Sequence, residues 1–231
     1  MNDWPLLPVR RVARVKLGKM VEASPSSDDD VEAPYLRAAH VQPFGRIIEV
    51  DDKTMWFSLA EARQLDLRAG DVVVVEGGAG FGRSAYLNDD LPGWGFQNSI
   101  VRVRPRPGRS DGRFLNYVFQ YLLSTGQTAL EASVATIPHY TAEKVAATRH
   151  RFPPVDEQVA IAAFLDREME QIDKMIRAVA GNLDAAASSK DRVDDLALAP
   201  LLRERREALI AAAVTGRIDP HTGVERSEET S

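Results

Sequence analysis

Seven apolar residues near the end of this 231-residue chain, Ile161, Leu165, Met169, Ile172, Ile176, Val179 and Leu183, follow one another at intervals of 4, 4, 3, 4, 3 and 4. That spacing places them in one seam along an α-helix, with charged residues between them. The start of the helix is legible. Phe152-Pro-Pro-Val155 breaks any preceding helix, and Asp156 and Glu157 set negative charge at the positive end of the helix dipole. A helix from Val155 to about Ser188 is roughly 50 Å long at 1.5 Å per residue. A seam of that length has to bury itself against another helix, from this chain or from a partner. The pattern weakens over Gly181-Asn182 and from Ala185 to Ser189. A second helical stretch follows, with Leu201, Leu202, Leu209, Ile210 and Val214 on its apolar side and Gly216 as its stop. Pro200 either starts that helix or kinks one long rod. The polar residues 221–231 read as a disordered tail.

The first two-thirds of the chain mixes short strands and short helices. Arg46–Val50 and Thr54–Phe57 read as strands around a turn at Asp51-Asp52. Ser58-Leu-Ala-Glu61 is a capping box that opens a helix to about Leu67. Val72–Val75 is a buried strand. From Asn98 to Arg104, apolar Val101 and Val103 alternate with Arg102 and Arg104, which predicts a half-exposed strand with arginines on one face. Asp111 caps a helix with Phe114, Tyr117, Val118, Tyr121 and Leu122 on its apolar face, and Thr141 caps another to about Ala147. The sequence thus predicts an α+β chain: a globular mixed α/β domain over residues 1–152, a long helical, coiled-coil-like region over 153–220, and a disordered tail over 221–231.

Composition narrows the function. There is no cysteine, which excludes disulfides, Cys-ligated zinc, iron–sulfur clusters and thiol nucleophiles, and fits a cytoplasmic protein. The longest apolar run, Val159–Leu165, is far short of a membrane span. Net charge is −5, but unevenly spread: residues 1–152 carry 19 Lys and Arg against 18 Asp and Glu, and residues 153–231 carry 10 against 16. Two basic stretches stand out, Arg10, Arg11, Arg14, Lys16, Lys19 and Arg102, Arg104, Arg106, Arg109, Arg113. A basic face on a nearly neutral domain binds phosphates even when the whole chain is acidic. Gly77-Gly-Ala-Gly-Phe-Gly-Arg-Ser84 after Val72–Val75 nearly matches a phosphate loop, but the helix that loop needs is missing from Ala85 to Gly93, so a glycine-rich hairpin is expected instead. His40, His139, His150 and His221 show no metal-ligand spacing, and Ser84, Ser99 and Ser133 lack the setting of a hydrolase nucleophile. No catalysis, metal or cofactor is expected.

Several segments, read together, resemble the DNA-specificity subunit of type I restriction–modification systems. They are Pro34–Val41, Ala69–Gly78 with Gly82-Arg83, Gly95–Val103 and Thr136–Thr141. To these are added Phe152–Gln158, Ile161–Leu165 with Ile172-Asp173, and Arg203–Ile210 with Ala213–Ile218. The Pro-Pro-x-x-Glu-Gln start of the long helix and the Ala-Leu-Ile…Val-Thr-Gly ending are the most specific. The resemblance implies a target-recognition domain over 1–152, then a helical region for dimerisation and methyltransferase docking. It implies a non-catalytic subunit that tells methyltransferase subunits which adenine to modify, with or without a restriction subunit. Full-length members carry two recognition domains and two helices in tandem, so this chain looks like a half-subunit. A homodimer with antiparallel helices would put a reader at each end, and 50 Å is on the order of 15 base pairs at 3.4 Å each. The candidate dimer seam is Ile161, Leu165, Met169, Ile172, Ile176, Val179 and Leu183. Reading double-stranded DNA needs phosphate anchors and side chains at base edges. The candidate anchors are Arg10, Arg11, Arg83, Arg102, Arg104 and Lys144, and the candidate readers are Arg37, His40, Gln42, Gln97 and Asn98. The alternatives are an orphan DNA-binding or antirestriction module without a methyltransferase, and a nucleotide-binding protein using Gly77–Ser84.

Overall fold

In the computed structural model, residues 3–50, 53–132, 138–185 and 189–226 are described. The elements in chain order are β1 (Leu6–Pro8), α1 (Val9–Val12), β2 (Ala13–Leu17), β3 (Val31–Leu36), β4 (Val41–Gln42), β5 (Arg46–Ile47), β6 (Thr54–Phe57), α2 (Leu59–Gln64), β7 (Val72–Val75), β8 (Ser84–Tyr86), β9 (Gly95–Phe96), β10 (Ile100–Pro105), α3 (Gly112–Ser124), α4 (Gln127–Ala132), α5 (Ala142–Ala147), β11 (Arg149–Arg151), α6 (Val155–Ala185) and α7 (Ser189–Val214). They fall into two compact units, residues 4–155 and residues 1–3 with 156–231.

The first unit is built on an antiparallel sheet ordered β2-β10-β7-β8. All four valines of β7 are buried, because both faces of the strand are covered. Val73 and Val75 join a core of Leu36, Met55, Phe57 and Phe96. Val72 and Val74 point to the opposite face, where α3 lies along β7 and β8. Strand β3 sits between β6, antiparallel, and β9, parallel. The sequence-predicted hairpin of Arg46–Val50 with Thr54–Phe57 does not form. Arg46 and Ile47 return onto β4, pairing Gln42 with Arg46 and Val41 with Ile47. The turn before them allows this, since Phe44 (φ 65°) and Gly45 (φ 74°) both take left-handed conformations.

Local signals hold at the helix starts. Ser58 Oγ accepts from the Glu61 amide at 3.3 Å, and Glu61 Oε2 accepts from the Ser58 amide at 2.9 Å, although α2 stops at Gln64 rather than Leu67. Asp111 Oδ1 accepts from the Phe114 amide and Thr141 Oγ1 from the Lys144 amide. The glycine-rich stretch is the hairpin loop between β7 and β8. Gly82 has φ 73°, a left-handed conformation that favours glycine, and a Cβ there would also press on Leu123 Cδ1 at 2.8 Å.

In the second unit, α6 spans 31 residues, about 46 Å at 1.5 Å per residue. The second helix begins at Ser189, so Pro200 neither starts it nor joins it to α6 in one rod: it lies inside α7. Arg206 Nη1 of α7 donates to Asp173 Oδ1 of α6 at 2.5 Å. Beyond α7, Arg226 donates to Glu157 at 2.9 Å near the start of α6. Partners thus run backward along α6, and the two helices lie side by side and antiparallel. Ile161, Leu165, Met169 and Ile172 are at most 4% exposed in the single chain, and Ile176 is half-buried. Those four seam residues are thus covered within the single chain. Val179 and Leu183 lie on α6, but their side chains fall outside the described residues. On α7, Leu202, Ile210 and Val214 are buried, whereas Leu201 is 58% exposed, against its placement on the apolar side. Gly216 (φ 76°) ends the helix as expected, with the Arg217 amide donating to Ala212 O at 2.8 Å. Residues 221–226 are not a loose tail: the Asp219 amide donates to Val224 O and the Arg226 amide to Arg217 O. Residues 227–231 lie outside the described set.

Candidate nucleic-acid interface

The candidate readers gather where β3 and β9 end. These strands run parallel, pairing Tyr35 with Gly95 and Leu36 with Phe96, so Arg37 and Gln97 leave the sheet side by side. The Gln97 amide donates to Leu36 O at 2.9 Å, the Asn98 amide to Lys19 O at 2.8 Å, and the Ala38 amide to Ser99 Oγ at 3.3 Å. Gly18 makes the close approach of β2 to this corner possible, since a Cβ there would lie 2.2 Å from Gln97 O. Lys19 is pinned beneath, its ammonium 2.6 Å from Glu61 and 2.8 Å from Glu22. Burial works against that charge, but the two carboxylates outweigh it and hold the Lys19 pKa above its ordinary value. One guanidinium and two carboxamides, Arg37, Gln97 and Asn98, thus stand on a corner of fixed backbone.

His40 and Gln42 follow directly, but the structure gives both internal work. His40 is 4% exposed; its Nδ1 accepts from the Arg37 amide at 3.1 Å, and its ring meets Trp94 edge-on at 5.9 Å. With Leu36, Ile47, Ile48, Glu49 and Trp94 it lines a pocket of about 530 Å³. Gln42 Nε2 donates to Ala39 O at 2.9 Å. His40 is thus a buried hinge of the corner rather than an exposed reader.

Two of the candidate anchors are corrected. Arg102 and Arg104 were expected on an exposed face of β10, but Arg102 is 7% exposed. Its guanidinium donates to Asp66 Oδ1 at 2.9 Å and also to Asp66 O, and lies 5.4 Å from the Phe96 ring centroid. Arg104 donates through Nε and Nη2 to both oxygens of buried Asp71 at 2.7 Å, and through Nη1 to Asp66. This pairing raises the Arg104 pKa, chiefly through the bonds to Asp71. Burial lowers that of Arg102. Burial also pushes Asp66 up, but hydrogen bonds from Arg104 and Arg68 and the guanidinium charges of Arg104 and Arg102 prevail and hold it below the usual carboxylate range. These arginines tie β10 to the segment 66–71.

The remaining anchors are dispersed. Lys144 on α5 donates to Ala132 O at 3.2 Å and His139 O at 3.1 Å. Arg83 stands on the glycine-rich hairpin, half-buried. That hairpin holds only a single 3-10 turn, Gly78–Gly80, before β8, so no α-helix follows the loop to cradle a nucleotide phosphate. Arg10 and Arg11 are exposed on α1, between Val9 and Val12, which are buried. They line a concavity with Arg106 and Arg109, two residues that sequence reasoning placed in a basic stretch but not in the site. No helix among the described residues is long and apolar enough to cross a membrane.

A family model described as the type I restriction modification DNA specificity domain matches residues 1–179. No curated protein sequence matches this chain. Among solved structures, one similar chain comes from work described as the structural basis underlying complex assembly and conformational transition of the type I R-M system. It has a TM-score of 0.54 at 18% identity over 94% of this chain and 47% of that one. The HsdS subunit from Thermoanaerobacter tengcongensis is similar with a TM-score of 0.51 at 19% identity, over 92% of this chain and 45% of its own. At these identities the likeness is one of fold, and the chain spans about half the length of the structures it matches. With residues 1–179 covered by the family model, the chain belongs to the type I restriction–modification DNA specificity family.

Proposed function

We propose that this chain recognises one half of a bipartite site on duplex DNA and directs methyltransferase subunits to an adenine there, taking no part in the chemistry itself. The observation that carries the reading is the corner formed by Arg37, Gln97 and Asn98 in a chain of this family. Guanidinium and carboxamide groups are the ones that bond bidentately to guanine and adenine edges, and here the backbone of Gln97 is bonded to Leu36 and that of Asn98 to Lys19. Rigid placement favours discrimination, because a reader that is already oriented loses little freedom on binding. The methyltransferase docks on the helical unit, and a restriction subunit joins where the system also cleaves.

One recognition unit reads one half-site. A second copy related by a two-fold axis supplies the other and makes an inverted repeat the natural target. Because the inner seam is already covered, the copies meet through the outer face of the helical pair, where Met175, Leu198 and Leu201 remain 39 to 58% exposed. Sedimentation of the purified chain, alone and with methyltransferase subunits, is expected to give two copies per complex; one copy in both contradicts the pairing. Replacing Arg37 or Gln97 by alanine is expected to relax preference at one base pair of the site by about ten- to a hundredfold. Unchanged preference across all positions contradicts their reading role.

A further inference from the structure

We infer that Arg10, Arg11, Arg106 and Arg109 form a phosphate clamp that grips the DNA backbone away from the reading corner, a proposal that rests on the DNA-binding reading above. All four line one concavity of about 610 Å³, whose other walls are Leu7 and Val12, with no acidic residue among them. Its construction is fixed by sequence. In α1, Val9 and Val12 lie three apart and face inward, so Arg10 and Arg11 between them face out. After β10 the chain turns through Arg106-Pro107-Gly108-Arg109. The Arg109 amide donates to Arg106 O at 2.9 Å, and Gly108 has φ 68°. Proline at the second position and a left-handed glycine at the third are the residues a type II turn demands, and such a turn holds its first and fourth residues within 7 Å. The two arginines are therefore set side by side. The turn is then locked to α1, because Val12 O accepts both the Arg106 amide and the Ser110 hydroxyl at 2.8 Å.

Arg10, Arg11 and Arg106 contrast with the arginines of β10, which the protein neutralises with Asp66 and Asp71. Arg10, Arg11 and Arg106 form no ion pair among the described residues. Positive charges held together repel one another, and an anion on the concavity eases that repulsion. Guanidinium forks match phosphate oxygens two by two, and a row of phosphodiesters presents such oxygens in series. A clamp of this kind sets register and orientation on the duplex without reading sequence.

The test is the salt dependence of binding to random-sequence duplex DNA, which needs no knowledge of the target. The full chain is compared with Arg10→Gln/Arg106→Gln and with Arg63→Gln, a single exposed charge removed elsewhere. Each lost phosphate contact lowers the slope of log K against log salt by about 0.9. The double variant is expected to lose about 1 to 2 from the slope, while Arg63→Gln leaves it unchanged. A second variant, Gly108→Val, keeps every charge but cannot hold the turn without strain, and should weaken binding to random DNA several-fold. If the wild-type chain binds with a clear salt slope that the double variant preserves, the clamp is wrong and the DNA reading stands. If no duplex binds the wild-type chain at all, both fail together. If the double variant instead keeps its slope and loses assembly with the methyltransferase, the patch serves an acidic protein surface and the clamp is overturned.

Discussion

At the scale of single residues, charge in this protein is divided between arginines the fold consumes and arginines it leaves facing solvent. Asp71 is 1% exposed and accepts from Arg104 through both oxygens and from the Arg68 amide. Replacing Asp71 by alanine removes both oxygens that the Arg104 Nε and Nη2 donate to and leaves that partly buried guanidinium with Asp66 alone. It is expected to lower unfolding stability by about 3 kcal/mol in urea titrations. Asp66 gives a pH signature. Its folded pKa is depressed, so the stability it contributes is present above its unfolded value near 4 and is lost as pH falls below that. The urea midpoint should therefore hold steady through neutral pH and drop below about pH 4, and Asp66→Asn should lower it at pH 7 while flattening the acid limb. An unaltered acid limb in that variant contradicts the assignment. None of this pairing was legible in the sequence. The alternation of Arg102 and Arg104 with Val101 and Val103 looks like an exposed face, and the carboxylates that turn the arginines inward lie 33 to 38 residues earlier.

At the scale of elements, short-range chemistry was legible and pairing between distant segments was not. The Ser58, Asp111 and Thr141 caps follow from residues three apart, and Ser58→Ala is expected to cost about 1 kcal/mol through the capping box. The strand Arg46-Ile47 was placed with the wrong partner. The residues allow pairing in either direction, and the left-handed turn at Phe44-Gly45 decides it. The corner of Arg37, Gln97 and Asn98, the proposed reader, hangs on a similar detail. Gly18 has carbonyls of Phe96 and Gln97 within 2.4 Å of where a Cβ would stand. Gly18→Ala should push the 96–98 segment outward, shift the amide resonances of Gln97 and Asn98, and reduce discrimination among duplexes more than it reduces stability. A crystal structure of the variant with that segment unmoved would contradict this. The grouping of Arg37 with Gln97 had no signal in one sequence, because it depends on the parallel pairing of β3 with β9, nearly 60 residues apart.

At the scale of the whole molecule, the long seam announced a helix and its start, and α6 begins at Val155 as expected. What covers the seam was not legible, since an apolar stripe carries no label for its partner. The buried pairing of Arg206, 4% exposed along its side chain, with Asp173 holds the two helices in register. Asp173→Ala is expected to reduce stability by about 1 to 3 kcal/mol and to loosen protection of α7 amides before those of the sheet unit, as hydrogen exchange would show. The proposed function is a division of labour, in which this chain would select the DNA site and its partners would perform the reaction. Mapping methyladenine across a genome, with and without the chain, tests that most directly. The account predicts methylation confined to one bipartite sequence when the chain is present and absent from that sequence when it is removed. The same pattern of methyladenine in both would contradict it.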